Sequence, residues 1–462
     1  MDAVTEKVSE QLEREVDLLC QEAKAIGAAI GVVRDGELVW THGYGFKDLE
    51  GDDAPAPSTL FRIASITKSF TATAIFMLQE RGLLNIDDAL ATHIPEFANA
   101  IPRKGPLEDV TLRRMMCHRS GLMNYAPTGE NSWNTGTWSS MQEILDAFPQ
   151  TEVSIEPDSA FKYNNLAYGL LGEVVTRVSG RPYEEFVTSE ILEPLGLTST
   201  TFEPNAELMA RTAIGYMPMP YEEAPVIAPH QSLGGQIAAG QLYSTVEDLA
   251  RWIKFHLGPP EDAEEDSPIL SAAGRKEMQR PLYMQEDWSM GFGMPWWIWR
   301  QNDDTVRGHG GGIQGYSTQI SFIATRRMGV IMLFNGPVTS QPIQAKIFEI
   351  VSEAEDAFDA LKPGKKPTAT PPELQEYLGL YHGAFETTLK FEYRDDSLQM
   401  GFLDTPSPPP VALEPTDDPD VFRATSQRPA GDRVSFTRTA SGVIRSVIVE
   451  AGEYWKLTAA GE

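Results

Sequence analysis

Apolar residues at helical spacing mark an acidic amphipathic helix from the N-terminus to about Ala25. The pattern then changes to two β-rich runs, residues 28–33 and 37–40, around Arg34-Asp35-Gly36. An Asp-Gly pair between such runs predicts a hairpin. From about residue 70 to 260 helical patterns dominate, beginning with the apolar run 69–78 and continuing through 169–175 and 248–253. Strand signals return at 296–299, 316–324 and 328–334, and a last helix is expected at about 342–361. β segments that bracket a helical middle predict an α/β (α+β) architecture. Its antiparallel sheet is flanked by terminal helices, and an all-helical subdomain is inserted at about 70–260.

The pattern breaks at Lys362-Pro363-Gly364-Lys365-Lys366-Pro367, and a Pro- and Thr-rich stretch runs on to Pro372. Residues 362–372 therefore read as a linker between a first domain, 1–361, and a second, 373–462. The second domain consists of short β runs at 389–393, 398–400, 434–436, 443–449 and 454–457, closely punctuated by turns. That predicts a small all-β barrel or sandwich. Thr405-Pro406-Ser407-Pro408-Pro409-Pro410 reads as a loop.

Charge narrows the function classes. A formal net charge of −28 argues against nucleic acid and anionic membranes as partners, since both call for clustered Lys and Arg. No run of 18 apolar residues predicts a membrane span, and the N-terminus lacks the basic start and apolar core of a signal peptide, so a cytoplasmic location is expected. The acidic run 261–266, between Gly258-Pro259-Pro260 and Pro268, reads as a solvated loop. Cys20 and Cys117 make no disulfide framework and read as buried small hydrophobes. The seven histidines form no ligand cluster, so neither a metal nor a cofactor is expected.

The candidate chemistry begins at Ser65-Ile66-Thr67-Lys68. A serine in the first turn of a buried helix meets free backbone N–H groups, and a lysine three residues on returns to the same face. A desolvated lysine loses its proton more readily and can serve as general base to the serine. The same spacing recurs at Ser159-Ala160-Phe161-Lys162, but there a Glu-Pro-Asp turn precedes it and no apolar helix follows. Ser65, which leads from the strand-like 60–64 into the long apolar run, is the stronger candidate. Tyr163-Asn164-Asn165 stands ahead of another apolar helix, where a phenol and an amide could relay protons and bind substrate. His309-Gly310-Gly311-Gly312 precedes the 316–324 strand, and its glycines would let a ligand approach a strand edge closely; a glycine-rich β turn is the plainer alternative. There is no Gly-x-Ser-x-Gly elbow and no dinucleotide fingerprint.

Ser-x-x-Lys, then Tyr-x-Asn about 100 residues later, then His-x-Gly late in the chain together resemble the serine β-lactamase and penicillin-recognising superfamily. The group includes class C β-lactamases, D-alanyl-D-alanine carboxypeptidases, D-aminopeptidases and β-lactamase-like carboxylesterases. Met115-Met116-Cys117-His118-Arg119-Ser120-Gly121-Leu122 and Gly240-Gln241-Leu242-Tyr243-Ser244-Thr245 are similar to segments of that group. The resemblance covers about residues 10–360; the tail resembles, more loosely, a lipocalin-like β domain. It implies a β-lactamase-like fold, with Ser65 as acylated nucleophile and Lys68 as its base. Tyr163 would protonate the leaving group, and Asn165 would bind the acyl-side amide. His309 stands where true β-lactamases carry lysine. Gly310 and Gly311 would contact substrate, and the backbone N–H groups of Ser65 and Gly312 would form the oxyanion hole. Asn164 would only pack. The histidine variant is similar to carboxypeptidases and aminopeptidases, whereas related esterases often carry tryptophan there. The implied function is a peptidase or amidase on small peptides or amides. Ester hydrolysis, acyl transfer and a penicillin-binding sensor acylated without turnover are the alternatives, and homo-oligomerisation is left open. Six tryptophans (Trp133, Trp138, Trp288, Trp296, Trp297 and Trp299) either line an apolar acyl pocket or pack in the core.

Overall fold

The computed structural model describes residues 3–128, 137–218, 224–259, 269–361, 370–383, 388–394, 397–403, 411–425, 433–449 and 452–457. The chain divides into two compact units, Met1–Ser352 and Glu353–Glu462. The acidic run 261–266, Trp133, the linker residues 362–369 and the proline run 406–410 fall outside the described residues.

The first unit is built on one antiparallel sheet. Its strands are β1 (Gly27–Arg34), β2 (Glu37–Gly45), β3 (Tyr283–Met284), β4 (Met290–Phe292), β5 (Trp297–Gln301), β6 (Asp304–Ile313), β7 (Tyr316–Ile323) and β8 (Met328–Phe334), in the order β2-β1-β8-β7-β6-β5-β4-β3. The β1–β2 hairpin turns through Asp35 and Gly36, both at positive φ (52° and 83°), as a tight turn matched to strand twist requires. β1 and β8 lie side by side, Ala28 opposite Phe334 and Arg34 opposite Met328, and both are buried on both faces.

Alternate residues of those two strands serve two cores. Ala28, Ile30, Val32, Val330, Met332 and Phe334 face the helices α1 (Ala3–Glu22) and α5 (Gln341–Leu361), meeting Leu12, Val16, Ile343 and Ile347. Ala29, Val33, Ile331 and Leu333 face the helical middle. There the longer helices are α2 (Thr67–Glu80), α3 (Asn165–Ser179) and α4 (Val246–Leu257). α4 lies inside the expected helical insertion but packs on β1 and β8, so it belongs to the sheet. Gly31 permits this: a Cβ there would lie 2.4 Å from the Val246 side chain. Trp252 of α4 stacks on Phe70 of α2 at 3.9 Å and donates its indole N–H to Ser69 Oγ (2.9 Å). This contact fixes α2 against the sheet. Trp252→Ala should cost about 3–5 kcal/mol, read as a lowered urea midpoint.

One expectation is corrected. The strand before Ser65 is only Phe61–Arg62, paired with Tyr243–Ser244, because the chain turns at Ala64, which sits at φ 47°. His309-Gly310-Gly311-Gly312 lies in a strand of its own, β6, directly ahead of the expected 316–324 strand, β7.

The second unit is a closed eight-stranded up-and-down barrel. Its strands are β9 (Gly379–Gly383), β10 (Thr388–Arg394), β11 (Ser397–Phe402), β12 (Val411–Pro415), β13 (Val421–Ala424), β14 (Arg433–Arg438), β15 (Ile444–Val449) and β16 (Gly452–Lys456). Each pairs antiparallel with the next, and β16 closes on β9. An eight-stranded barrel has an interior just wide enough for side chains to fill. Here Tyr381, Phe391 and Phe436 meet at ring separations of 5.1–5.8 Å, with Tyr377 and Phe422 against Phe436. At one end Arg438 joins Glu376, Asp420 and the Tyr377 hydroxyl.

Candidate active site

Ser65 occupies a short 3-10 turn, Ala64–Ile66, that runs directly into α2. One turn along, Lys68 is fully buried. Its Nζ lies 3.0 Å from Ser65 Oγ, 2.9 Å from Asn165 Oδ1 and 2.8 Å from the Ala239 carbonyl. The Tyr163 and Tyr168 rings stand at 4.9 and 5.4 Å. Burial holds the Lys68 amine well below the ordinary lysine range. An uncharged amine has two hydrogens and one lone pair. Donation to Asn165 Oδ1 and the Ala239 carbonyl leaves that lone pair for the Ser65 hydroxyl proton.

α3 delivers the second element. Asn164 is its N-cap, its Oδ1 accepting from the Ala167 N–H (2.7 Å) and its Nδ2 donating to the Leu122 and Met123 carbonyls. Asn165 is thereby turned to Lys68 on one side and to the Tyr125 hydroxyl (2.7 Å) on the other. The Tyr163 hydroxyl bonds to Ser65, and burial pushes its pKa up, so it stays protonated and able to donate. His118 supports this segment: its Nδ1 accepts the Asn164 N–H (3.1 Å) and its ring lies 4.3 Å from that of Tyr163.

β6 supplies the third element. His309 is buried, and that burial pushes its pKa down to about 3. Its Nδ1 pairs with the Gly310 carbonyl (2.7 Å); with Nδ1 donating, Nε2, which has no partner among the described residues, carries a lone pair. The ring is therefore a neutral acceptor where a lysine would be a cation. The glycines divide by strand alternation. Gly310 and Gly312 line the cleft, and nothing lies within 4 Å of a Cβ at 312. Gly311 does not line it; a Cβ there would fall 2.2 Å from the Ile63 carbonyl oxygen and 2.3 Å from Thr318 Oγ1. Its role is to let β6 touch the turn that carries Ser65. β5 pairs with β6 only from Asp304 to Gly308, so 309–313 presents an open strand edge.

These elements enclose a cleft of about 670 Å³ lined by Ser65, Tyr163, Asn165 and His309, with Trp138, Trp297 and Trp299 in its walls. Trp296 is buried in the core and Trp288 is exposed. The second Ser-x-x-Lys does not assemble: Ser159 Oγ donates to the Glu156 carbonyl, and Lys162 Nζ to Leu122 O and Ser154 Oγ. The Ala239 carbonyl, the Tyr125 hydroxyl and His118 were not singled out from the sequence. A backbone carbonyl leaves no signal there, and Tyr125 and His118 become legible only once Asn165 and Asn164 are placed.

The site thus sets a serine hydroxyl 3.0 Å from a fully buried lysine amine, on a sheet flanked by terminal helices. The chain belongs to the Beta-lactamase family, whose model matches residues 6–354. It is similar to Protein flp of Staphylococcus aureus, 27% identical over 333 residues that cover 72% of this chain and 64% of that protein; it thus spans about two thirds of that relative's length. Among solved structures it resembles the octameric penicillin-binding protein homologue from Pyrococcus abyssi, at TM-score 0.62 and 25% identity over 97% of this chain and 99% of that one. A beta-lactamase/D-alanine carboxypeptidase from Yersinia pestis shares the fold, at TM-score 0.62 and 22% identity over 76% of this chain and 99% of that one. Among the described residues no helix is long and apolar enough to cross a membrane, and no cluster of three metal-ligating side chains occurs.

The buried histidines tie stability to pH. An unfolded histidine gains a proton near pH 6.5, whereas folded His309 stays neutral to about 3. The unfolded chain therefore binds more protons in that window. The histidine contribution is fully present above pH 6.5 and lost as pH falls towards 3. For His309 alone this amounts to about 2 kcal/mol between pH 7.5 and 5. Burial lowers His118 and His256 in the same direction. Urea midpoints at the two pH values measure it.

Proposed function

We propose that the protein is a serine hydrolase that cleaves amides of small peptides through a Ser65 acyl-enzyme. The observation that carries this reading is Lys68: fully buried, its pKa held well below the ordinary lysine range, and 3.0 Å from Ser65 Oγ. In the proposed reaction Lys68 takes the Ser65 proton as Oγ attacks the scissile carbonyl. The backbone N–H groups of Ser65 and Gly312 receive the oxyanion. Tyr163 passes a proton to the departing nitrogen, which leaves as the amine. Water then attacks the acyl-enzyme, giving its proton to the same network, and the acid departs from Ser65. The open edge at 309–313 favours a peptide-like substrate, since an extended chain can pair with it.

The Yersinia pestis neighbour is a beta-lactamase/D-alanine carboxypeptidase, in keeping with an amide substrate here. The test is kcat/KM for an amide and an ester of one acyl group, with Ser65→Ala as control. Efficient amide turnover that the variant loses supports the reading, whereas ester-only turnover makes the protein an esterase or acyltransferase. A label that stays on Ser65 without turnover makes it a sensor. Because the Pyrococcus abyssi homologue is octameric, we extend self-association to this chain, expecting a mass above 51.0 kDa by light scattering.

A further inference from the structure

The open edge of β6 sorts the side chains of any peptide that pairs with it, since these alternate between the two faces of the sheet. Gly311 is turned to the face that carries Ser65. Gly308 and Gly310 look out on the other, where Val306 meets Ile343 and Ile347 of α5. A peptide side chain turned to the α5 face therefore meets a floor of bare backbone. Gln319 of β7, opposite Gly310, leans across that floor, its Oε1 3.0 Å from where a Cβ at 310 would be. Both residues line the cleft.

Two carbonyls fix which end of the Gln319 amide faces the cleft. Its Nε2 donates to the Ile320 carbonyl (3.1 Å), which can only accept. It also begins a one-way chain that ends on α5. Gln319 Nε2 donates to Ser321 Oγ (2.9 Å), and Ser321 Oγ to Gln344 Oε1 (3.4 Å). Gln344 Nε2 then donates to Gln301 Oε1 (3.2 Å), and Gln301 Nε2 to the Ala345 carbonyl (2.9 Å). Reversing any amide would set donor against donor. Gln319 Oε1 is thus held over Gly310 as an acceptor.

Charge decides which donor suits it. Trp297, opposite Gly308, and Trp299 stand on the same face and give it apolar walls. No carboxylate side chain lines the cleft among the described residues. Arg300 contributes to the wall, but pairing sets it opposite Thr305, on the other face of β5, where it donates to Thr305 Oγ1 and the Asp303 carbonyl. An ammonium beside Gln319 would lose water with no countercharge, and a carboxylate would meet the Oε1 lone pairs. An uncharged N–H or O–H avoids both costs. Adjacent strands lie about 4.8 Å apart, so Oε1 is in reach of a donor close to the peptide backbone. Gly310 adjoins His309, which Tyr163 faces with ring centroids 6.4 Å apart. Tyr163 is the proposed donor to the departing nitrogen, so the side chain concerned belongs to the departing residue.

We infer that Gln319 is a specificity-determining residue. It selects peptides whose departing residue carries a short, uncharged hydrogen-bond donor, a carboxamide or a hydroxyl, and disfavours charged side chains there. The inference rests on the peptidase reading of Ser65 and deepens it by naming the substrate class.

The test uses peptides with one acyl group, an amidated C-terminus and four departing residues of similar shape: asparagine, leucine, aspartate and diaminobutyrate. Wild type should favour asparagine over leucine about fivefold in kcat/KM, with both charged residues below leucine. Gln319→Leu should bring asparagine and leucine level, and Gln319→Glu, which supplies a countercharge, should raise diaminobutyrate above leucine. The inference is overturned if wild type does not prefer asparagine, if it prefers a charged residue, or if neither variant changes the ranking. Binding of the same peptides to Ser65→Ala, followed by indole quenching, needs no turnover. Tightest binding of the asparagine form there upholds the role of Gln319 even if no amide is cleaved and the peptidase reading fails. Equal binding of the asparagine and leucine forms overturns it even if Ser65 proves to be the nucleophile.

Discussion

Ser65→Ala is expected to lower kcat/KM for the best amide or ester by on the order of 10⁴-fold or more, and no acyl adduct should then be recovered by mass spectrometry. The size of the loss follows from how the site is organised. Oγ is the atom proposed to attack, and among the described residues the Lys68 lone pair has no other proton to take: its other two contacts, Asn165 Oδ1 and the Ala239 carbonyl, are acceptors. Lys68→Ala should therefore fall nearly as far. The double variant should be no worse than either single one, because the two residues act as a unit. Additive losses would mean that each works without the other. Turnover surviving Ser65→Ala would remove the acyl-enzyme altogether.

Gly311→Val is expected to cost both activity and stability, whereas Gly312→Ala should leave stability nearly unchanged. The Ile63 carbonyl and Thr318 Oγ1 already occupy the space of a side chain at 311, and they bond to each other (3.1 Å). Larger groups forced into packed sites typically cost about 1–3 kcal/mol. Here the only relief is for β6 to move away from the turn bearing Ser65. That shift would separate the two backbone N–H groups proposed for the oxyanion, and losing one such donor costs roughly 10²–10³ in rate. At 312 the space is open. Urea midpoints with kcat/KM for the two variants give the contrast. Equal rates in wild type and Gly311→Val would show that this contact does not position the site.

Much of this was legible in the sequence where one local rule dominates. Asp35-Gly36 announced its hairpin because both residues adopt positive φ, and the unbroken apolar run 328–334 matched a strand buried on both faces. Ser65 and Lys68 were readable because helix geometry alone brings residues three apart together. β6 was not, because its stretch from Gly308 to Gly312 has little strand propensity of its own and is held by β7 and by the Ile63 contact. The left-handed Ala64 was invisible for a similar reason: tertiary contacts impose it on a residue with no preference for it. The neutrality of His309 was also beyond reach, since it depends on burial that no spacing reports.

The pairing of β1 with β8 has a consequence for synthesis. Ala28 waits for Phe334 and Arg34 for Met328, so the centre of the sheet cannot close until some 300 residues after its first strand has left the ribosome. Contacts this distant in sequence make assembly slow. Meanwhile β1, apolar on both faces, has only β2 beside it and an open edge on the other. A chain interrupted anywhere before Met328 would keep that edge, making aborted translation products of this protein strong substrates for chaperone capture or aggregation.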